Sequence, residues 1–400
     1  MNHPLNAARL EPLNTGALPP HWNDGADQAT LSRAIGRALD AVDRNLTYFG
    51  DAFPMPSSQG GVYQAMDNTE WTNGFWTGML WLAYELSGAA RYRDAALAHV
   101  RSFHARQAQR INVNHHDLGF LYSLSCVAGH RLTGEPLAAE AALGAARLLL
   151  QRYLPGAGII QAWGELSDPA QRGRMIIDCN LNLPLLYWAS NHTGDPAFRT
   201  AADRHIEAAA RHIVRADGST FHTFFFDPAS GAPLHGKTHQ GHADDSCWAR
   251  GQAWGISGFP LVYRHNGDAR LIDLAKVLSN YYLNRLPADG ICHWDLVFTS
   301  GPEPRDSSAA AIAACGLLEL ARQLPVGDAL RAPYERAAAG MVRTLAADYA
   351  DTSGTPGAGL LKHAVYHKPN GVGVDEACIW GDYFYLEALV RLTRTWRPYW

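Results

Sequence analysis

Leu181-Asn182-Leu183-Pro184-Leu185-Leu186-Tyr187-Trp188-Ala189-Ser190-Asn191-His192-Thr193-Gly194-Asp195, running on into Phe198 to Ile213, decides the fold. An apolar, aromatic stretch of helical character ends at Thr193-Gly194, and a second helical stretch starts just past Asp195. Glycine beyond the last turn supplies the left-handed stop. Asp after it suits the N-terminus of the next helix. The pattern recurs at Ser87-Gly88, Thr133-Gly134, Asn266-Gly267-Asp268 and Val326-Gly327-Asp328. The stretches before these turns run Phe75 to Leu86, Leu118 to Leu132, Trp248 to His265 and Ala310 to Leu324. Those after them run Tyr92 to Phe103, Leu137 to Leu150, Leu271 to Leu283 and Leu330 to Leu345. Repeated units of this kind share one core.

Two further helices complete the set. Ala29 to Tyr48 places Leu31, Ile35, Leu39, Val42 and Leu46 at helical spacing, and Tyr383 to Thr395 does so with Leu386, Leu389, Val390 and Leu392. Paired, they make a sixth hairpin. The expected fold is all-α, an (α/α)6 toroid. The first member of each hairpin carries Trp, Tyr, Cys and Gly with few charges, which suits a buried inner ring. The second is Ala/Arg/Leu-rich and amphipathic, which suits an outer ring. Thr220 to Phe226 has β character, so a few short strands are expected at the cavity mouth. An extended arm over residues 1–27 precedes a single domain over 28–400, with the Gly/Pro/Ser stretch Gly50 to Gly61 inside it.

Composition narrows the partners. The formal net charge is −4 and no Lys/Arg-rich run occurs, which argues against nucleic acid. No segment has the roughly 18 uninterrupted apolar residues of a membrane span. Met1 to Pro20 lacks a basic flank and an apolar run, so no secretion signal is expected, and a cytoplasmic monomer is. The six cysteines, Cys126, Cys179, Cys247, Cys292, Cys315 and Cys378, are scattered singly in apolar contexts and read as buried reduced thiols. Asn45-Leu46-Thr47 and Asn191-His192-Thr193 then match the glycosylation sequon by chance.

Polar residues gather where the inner helices begin: Asn73, His115-His116-Asp117, Asp178, Asp244-Asp245, Asp306-Ser307-Ser308 and Trp380-Gly381-Asp382. In a toroid these starts share one end of the cavity. Each reads equally as an N-cap; six together, with aromatics beside them, read as a lined pocket. Asp117 and Asp178 stand out. Asp178 lies in Ile176-Ile177-Asp178-Cys179-Asn180, where desolvation disfavours the carboxylate, and a second carboxylate nearby raises its pKa further. Such an acid serves as a proton donor. The alternative is a pair of buried caps, whose backbone hydrogen bonds lower the pKa instead.

Trp71, Trp76, Trp163, Trp254 and Trp380 lie close to inner-helix starts or in the joins, where aromatic faces stack on sugar rings; each taken alone also reads as core. Trp163, in the segment Gly156 to Ser167, best fits a site lining. Arg250, about a turn past Asp245 and a turn before Trp254, either clamps a substrate carboxylate or pairs with Asp245. His235, His239 and His242 are too loosely spaced for zinc, with no matching Cys or Glu set, so no metal and no cofactor are expected. A phosphate-binding loop, a dinucleotide fingerprint and a Gly-x-Ser-x-Gly elbow are absent.

The strings Trp71-Thr72-Asn73-Gly74-Phe75-Trp76-Thr77-Gly78, His116-Asp117-Leu118-Gly119-Phe120, Ile177-Asp178-Cys179-Asn180-Leu181 and Ala243-Asp244-Asp245-Ser246-Cys247-Trp248-Ala249-Arg250-Gly251-Gln252-Ala253-Trp254 together resemble the unsaturated glucuronyl hydrolases of glycoside hydrolase family 88. The resemblance runs from about Trp71 to the last helix. It implies an (α/α)6 barrel that removes a 4,5-unsaturated uronic acid from the non-reducing end of lyase-generated oligosaccharides. It implies that Asp178 is the general acid/base and Asp117 the second essential carboxylate. It implies that Trp71, Trp163, His222, Gln240, Arg250 and Trp254 contact the unsaturated sugar. Members that prefer sulfated fragments carry a Ser/Lys-bearing loop before the last helix. Here Tyr366-His367-Lys368-Pro369-Asn370-Gly371-Val372-Gly373 lacks the serines and keeps Lys368, which leans towards unsulfated or lightly sulfated substrates. An unsaturated rhamnogalacturonyl hydrolase, a silent glycan-binding toroid and a zinc-dependent cyclase are the competing readings.

Overall fold

Four of the five glycine turns are left-handed: Gly88, Gly134, Gly194 and Gly267 have φ of 69°, 74°, 77° and 73°. Asp195 and Asp268 then cap the helices that follow through Ala197 N and Arg270 N. The fifth turn works differently. Its helix stops at Gln323, and Leu324 is extended with ψ 144° because Pro325 follows. Gly327 is not left-handed there.

The structure is a computed structural model that describes residues 7–24 and 27–400. Among these residues, twelve helices form six hairpins. The inner helices are α2 (Asn73–Ser87), α4 (118–133, with a π-helical segment Ser123–Val127 at its middle), α6 (Leu183–Thr193), α8 (Ala249–Asn266), α10 (Ser307–Gln323) and α12 (Ile379–Thr393). The outer ones are α1 (Gln28–Phe49), α3 (Ala90–Ala108), α5 (Pro136–Leu150), α7 (Pro196–His212), α9 (Ala269–Leu283) and α11 (Arg331–Thr344). Each inner helix packs on the next, and α12 packs back on α2, which closes the ring. The toroid expected from the repeat is the one observed.

The inner helices approach closely because glycine sits at their crossings. A Cβ on Gly74 of α2 would lie 2.1 Å from Phe120 O of α4, and one on Gly119 of α4 would lie 2.3 Å from Asn182 Cα at the entry to α6. Gly316 of α10 abuts Ser257 of α8, and Gly381 of α12 abuts Ser308 of α10.

Aromatic rings from four inner helices fill the bore. Phe75, Phe120, Trp254 and Phe384 meet with ring centroids 5.2 to 6.1 Å apart. From below, residues 394–400 cross the C-terminal ends of the inner helices. Arg131 donates to Pro398 O, Arg322 to Trp396 O and Arg394 to Leu86 O. Trp400, 2% exposed, stacks on Phe384 at 5.8 Å and meets Phe120 edge-on at 6.1 Å. Among the described residues this tail and the packed rings close the axis at the C-terminal ends of the inner helices.

Short strands dress the end where the inner helices begin. β1 (Phe53–Pro54) pairs with β2 (Ala65–Met66), and β3 (Tyr153–Leu154) with β4 (Ile159–Ile160). β5 (Arg174–Ile176), β6 (Thr223–Phe226) and β7 (Pro233–Lys237) form a three-stranded sheet that feeds the turn carrying Asp178. β8 (Ala364–His367) and β9 (Val372–Glu376) form a hairpin tied to the start of α10, where Ser307 Oγ donates to Lys362 O at 2.7 Å. Of the N-terminal arm, residues 1–6, 25 and 26 lie outside the described residues. Residues 7–24 run against the toroid, with Glu11 paired to Arg285 at 2.7 Å and Trp22 buried at Gly340.

Candidate active site

Asp117 ends the loop before α4, and Asp178 sits in the 3₁₀ turn Ile177–Leu181 before α6. One amide stitches the two segments together. Asn182 Oδ1 accepts from Phe120 N at 2.7 Å, satisfying a first-turn N–H of α4, and its Nδ2 donates to Asp178 O at 3.3 Å. Neither aspartate caps its helix through its side chain, and Asp178 Oδ1 is buried without a hydrogen-bond partner. The cap reading, by contrast, holds for Asp306, which accepts from Ser308 N and Ala309 N.

His116 lies between the two acids, its Nε2 3.3 Å from Asp117 Oδ1 and 3.4 Å from Asp178 Oδ1. Burial pushes this imidazole down to about 4, so it is neutral near pH 7. Burial, and then the negative charge of Asp117, hold the Asp178 carboxyl well above the ordinary carboxylate range. Burial acts on Asp117 in the same sense, but His116, His115 and Arg152 outweigh it and keep that carboxyl low. The two acids are thus driven apart: Asp178 keeps a proton while Asp117 is ionised. His116, Asp117 and Asp178 each offer an atom within 4.8 Å of the others, a spacing that also suits a metal ion. His235, His239 and His242 form no such group among the described residues. His235 stacks on Phe225, His239 meets Trp163, and His242 meets Phe298.

His222 is held by two backbone amides, His239 N and Gln240 N, which donate to its Nδ1 at 3.1 and 3.3 Å. With that lone pair used, the neutral ring carries its hydrogen on Nε2, a donor with no partner among the described residues. Trp248 packs on the ring at 4.2 Å. Trp163 is 38% exposed at the rim. Trp71 is stacked on Trp380 at 5.3 Å, and its Nε1 donates to Tyr366 O–H at 3.1 Å. Trp254 lies deeper, 1% exposed among Phe120 and Phe384.

Arg250 departs from the expected pairing with Asp245. Its helix begins only at Ala249, so Asp245 is not on it and the two do not share a face. Instead the guanidinium sits between Trp248 and Trp380, 4.4 and 4.8 Å from their ring centres. It donates to Val365 O, Tyr366 O and Gln240 Oε1, and Asp306 lies 3.6 Å away. Three of its N–H groups hold the β8–β9 hairpin and Gln240, and its charge acts on Asp178 from there. Trp71, Trp163, His222, Gln240, Arg250, Trp254, Asp117 and Asp178 belong to one connected network. His116, Asn182, Trp248 and Tyr366 join it, although the sequence reading assigned them no role; only their places within the quoted strings marked them.

A helical toroid with a protonated and an ionised carboxyl at its mouth, set among tryptophans, has the make-up of a carbohydrate-cleaving hydrolase. Residues 50–376 match the model of Glycosyl Hydrolase Family 88, and the chain belongs to that family. It is 49% identical over 403 residues to an unsaturated chondroitin disaccharide hydrolase of Streptococcus pyogenes serotype M1, covering 100% of both chains. It is 47% identical over 369 residues to an unsaturated glucuronyl hydrolase of Bacillus sp. strain GL1, covering 92% of this chain and 98% of that one. The crystal structure of an unsaturated glucuronyl hydrolase from Streptococcus agalactiae superposes with a TM-score of 0.95 at 45% identity, covering 98% and 99% of the two chains. A variant of that streptococcal protein has been solved in complex with dGlcA-GalNAc6S.

Proposed function

We propose that the protein removes the 4,5-unsaturated uronic acid from the non-reducing end of lyase-generated, glycosaminoglycan-type disaccharides, by hydrating the C4=C5 bond. The observation that carries this reading is the raised Asp178 carboxyl beside Asp117, with His116 set between the two acids at 3.3 and 3.4 Å. The family and the names of its relatives supply the substrate class.

The bond to be attacked is a vinyl ether, electron-rich at C4. Asp178 gives its proton to C4, and positive charge develops at C5 and the ring oxygen, where ionised Asp117 stabilises it. Asp178, now a carboxylate, takes a proton from water as the water oxygen bonds to C5. The hemiketal opens by breaking the bond from C5 to the ring oxygen, so C5 becomes a ketone; the hemiacetal left at C1 then becomes an aldehyde as it expels the partner sugar as an alcohol. One carboxyl acts first as acid and then as base, so the spacing rule for retaining and inverting glycosidases does not govern here. Asp178→Asn cannot donate the proton. Decay of the ultraviolet absorbance of the double bond is expected to slow by about a hundred- to ten-thousand-fold with an unchanged circular dichroism spectrum. Turnover near the wild-type rate would reject the assignment.

A further inference from the structure

The β5 strand that delivers Asp178 begins with Arg174, a residue the mechanism does not use. Its guanidinium lies 4.7 Å from the ring centre of Trp163 and 5.2 Å from that of Phe225, its cross-strand neighbour. The side chain makes no hydrogen bond or ion pair with any described residue, and its Nε is buried with none. No carboxylate opposes the effect of burial on it. Arg250 and Arg152, the other arginines near the acids, have their donors taken by carbonyl and amide oxygens. A half-buried guanidinium without an acceptor is costly to keep. The two aromatic faces hold it rigid, with its fork uncommitted.

Its distance from the acid sets which sugar it meets. Three residues of strand and 3₁₀ turn lie between Arg174 and Asp178, a contour of roughly 10–13 Å. That leaves room for a second sugar between them, and the contact with Trp163, the most exposed of the site's tryptophans, puts the guanidinium towards solvent from the acid. Around it, Lys237 is exposed on β7, and Arg174, Lys237 and His367 all act electrostatically on His239 against the charge of Asp244. Asp244 Oδ1 is itself taken by Thr238 N at 2.8 Å.

We propose that Arg174 recognises an oxyanion, a sulfate ester, on the sugar that leaves, and so sets the preference of this enzyme among unsaturated disaccharides. The proposal rests on the uronyl-hydrolase reading above. A planar guanidinium fork matches two oxygens of a sulfate group, and the loop Tyr366 to Gly373, poor in serine, is not needed for that recognition. The site is distinct from Lys368, which lies in the 3₁₀ turn between β8 and β9.

The test uses two unsaturated disaccharides that differ only by a sulfate on the amino sugar, with wild type, Arg174→Ala, Arg174→Lys and Arg174→Met. Methionine keeps apolar packing over Trp163 if alanine fails to fold. The expected result is a drop of about tenfold or more in the ratio of kcat/KM for sulfated over unsulfated substrate in the Ala and Met variants. The drop is carried by KM, and lysine restores part of it. Raising salt lowers the wild-type ratio in the same direction. Equal losses on both substrates, or an unchanged ratio, would overturn the proposal and leave the hydrolase reading standing. Wild-type protein inactive on both disaccharides would overturn the reading and the proposal together.

Discussion

Asp178 and Asp117 act as a pair, and each is understood through the other. The charge on Asp117 raises Asp178, so Asp178 loses its proton only at a pH well above the ordinary carboxylate range. Activity that needs protonated Asp178 therefore falls as pH rises through that value. Asp117→Asn deletes the charge, Asp178 ionises more easily, and the alkaline limb of the kcat/KM profile is expected to move to lower pH as the rate falls. A limb that stays put would show that the two carboxyls do not communicate. The desolvation of Asp178 was legible in Ile176, Ile177 and Cys179 beside it. The role of His116 was not, because a histidine next to an aspartate in sequence reveals nothing of a second aspartate 62 positions on. The expected Asp245–Arg250 pair fails for a related reason. Helical spacing offered Asp245 as partner, but a loop residue outside the helix cannot keep that register, and the β8–β9 hairpin took the donors.

At the scale of elements, the site is as precise as the crossing of α4 with α6. Asn182 bonds both aspartate-bearing segments, and Gly119 lets the backbones touch. Gly119→Ala would drive a Cβ to 2.3 Å from Asn182 Cα, a backbone atom that cannot rotate away. The helices must part, at a cost of about 1–3 kcal/mol. A lower melting temperature is expected together with a fall in kcat, since the Asp117–Asp178 spacing changes; an alanine variant with wild-type melting and turnover would refute this account. The twelve helices were legible because period and turn chemistry agreed with each other. Gly327 misled because Pro325, two residues earlier, had already ended its helix. The π-helical segment of α4 left no trace in the apolar pattern, since Ser123 to Val127 is buried on every side.

Over the whole molecule, ring closure depends on filling the axis. Trp400 joins that filling from below while the arginines at the inner-helix ends hold residues 394–400 in place. Trp400→Ala should leave a void beneath Phe120 and Phe384 worth about 3–5 kcal/mol, read as an early thermal transition. Val326→Ala, at a position 89% exposed, should melt like the wild type. Equal melting of the two variants would count against the axial role of Trp400.

Among the described residues the tail that runs under the ring blocks the axis, which leaves substrate to arrive and products to leave by the side of the acids. No polymer can be threaded through this enzyme, and each encounter handles a single chain end. In the proposed reaction the uronyl ring meets the buried Asp178 and the partner sugar lies outside it, so the uronyl fragment must wait for that sugar to depart. Steady-state kinetics should then show the uronyl product competing with substrate and the released sugar inhibiting noncompetitively, whereas the reverse pattern would mean a second exit.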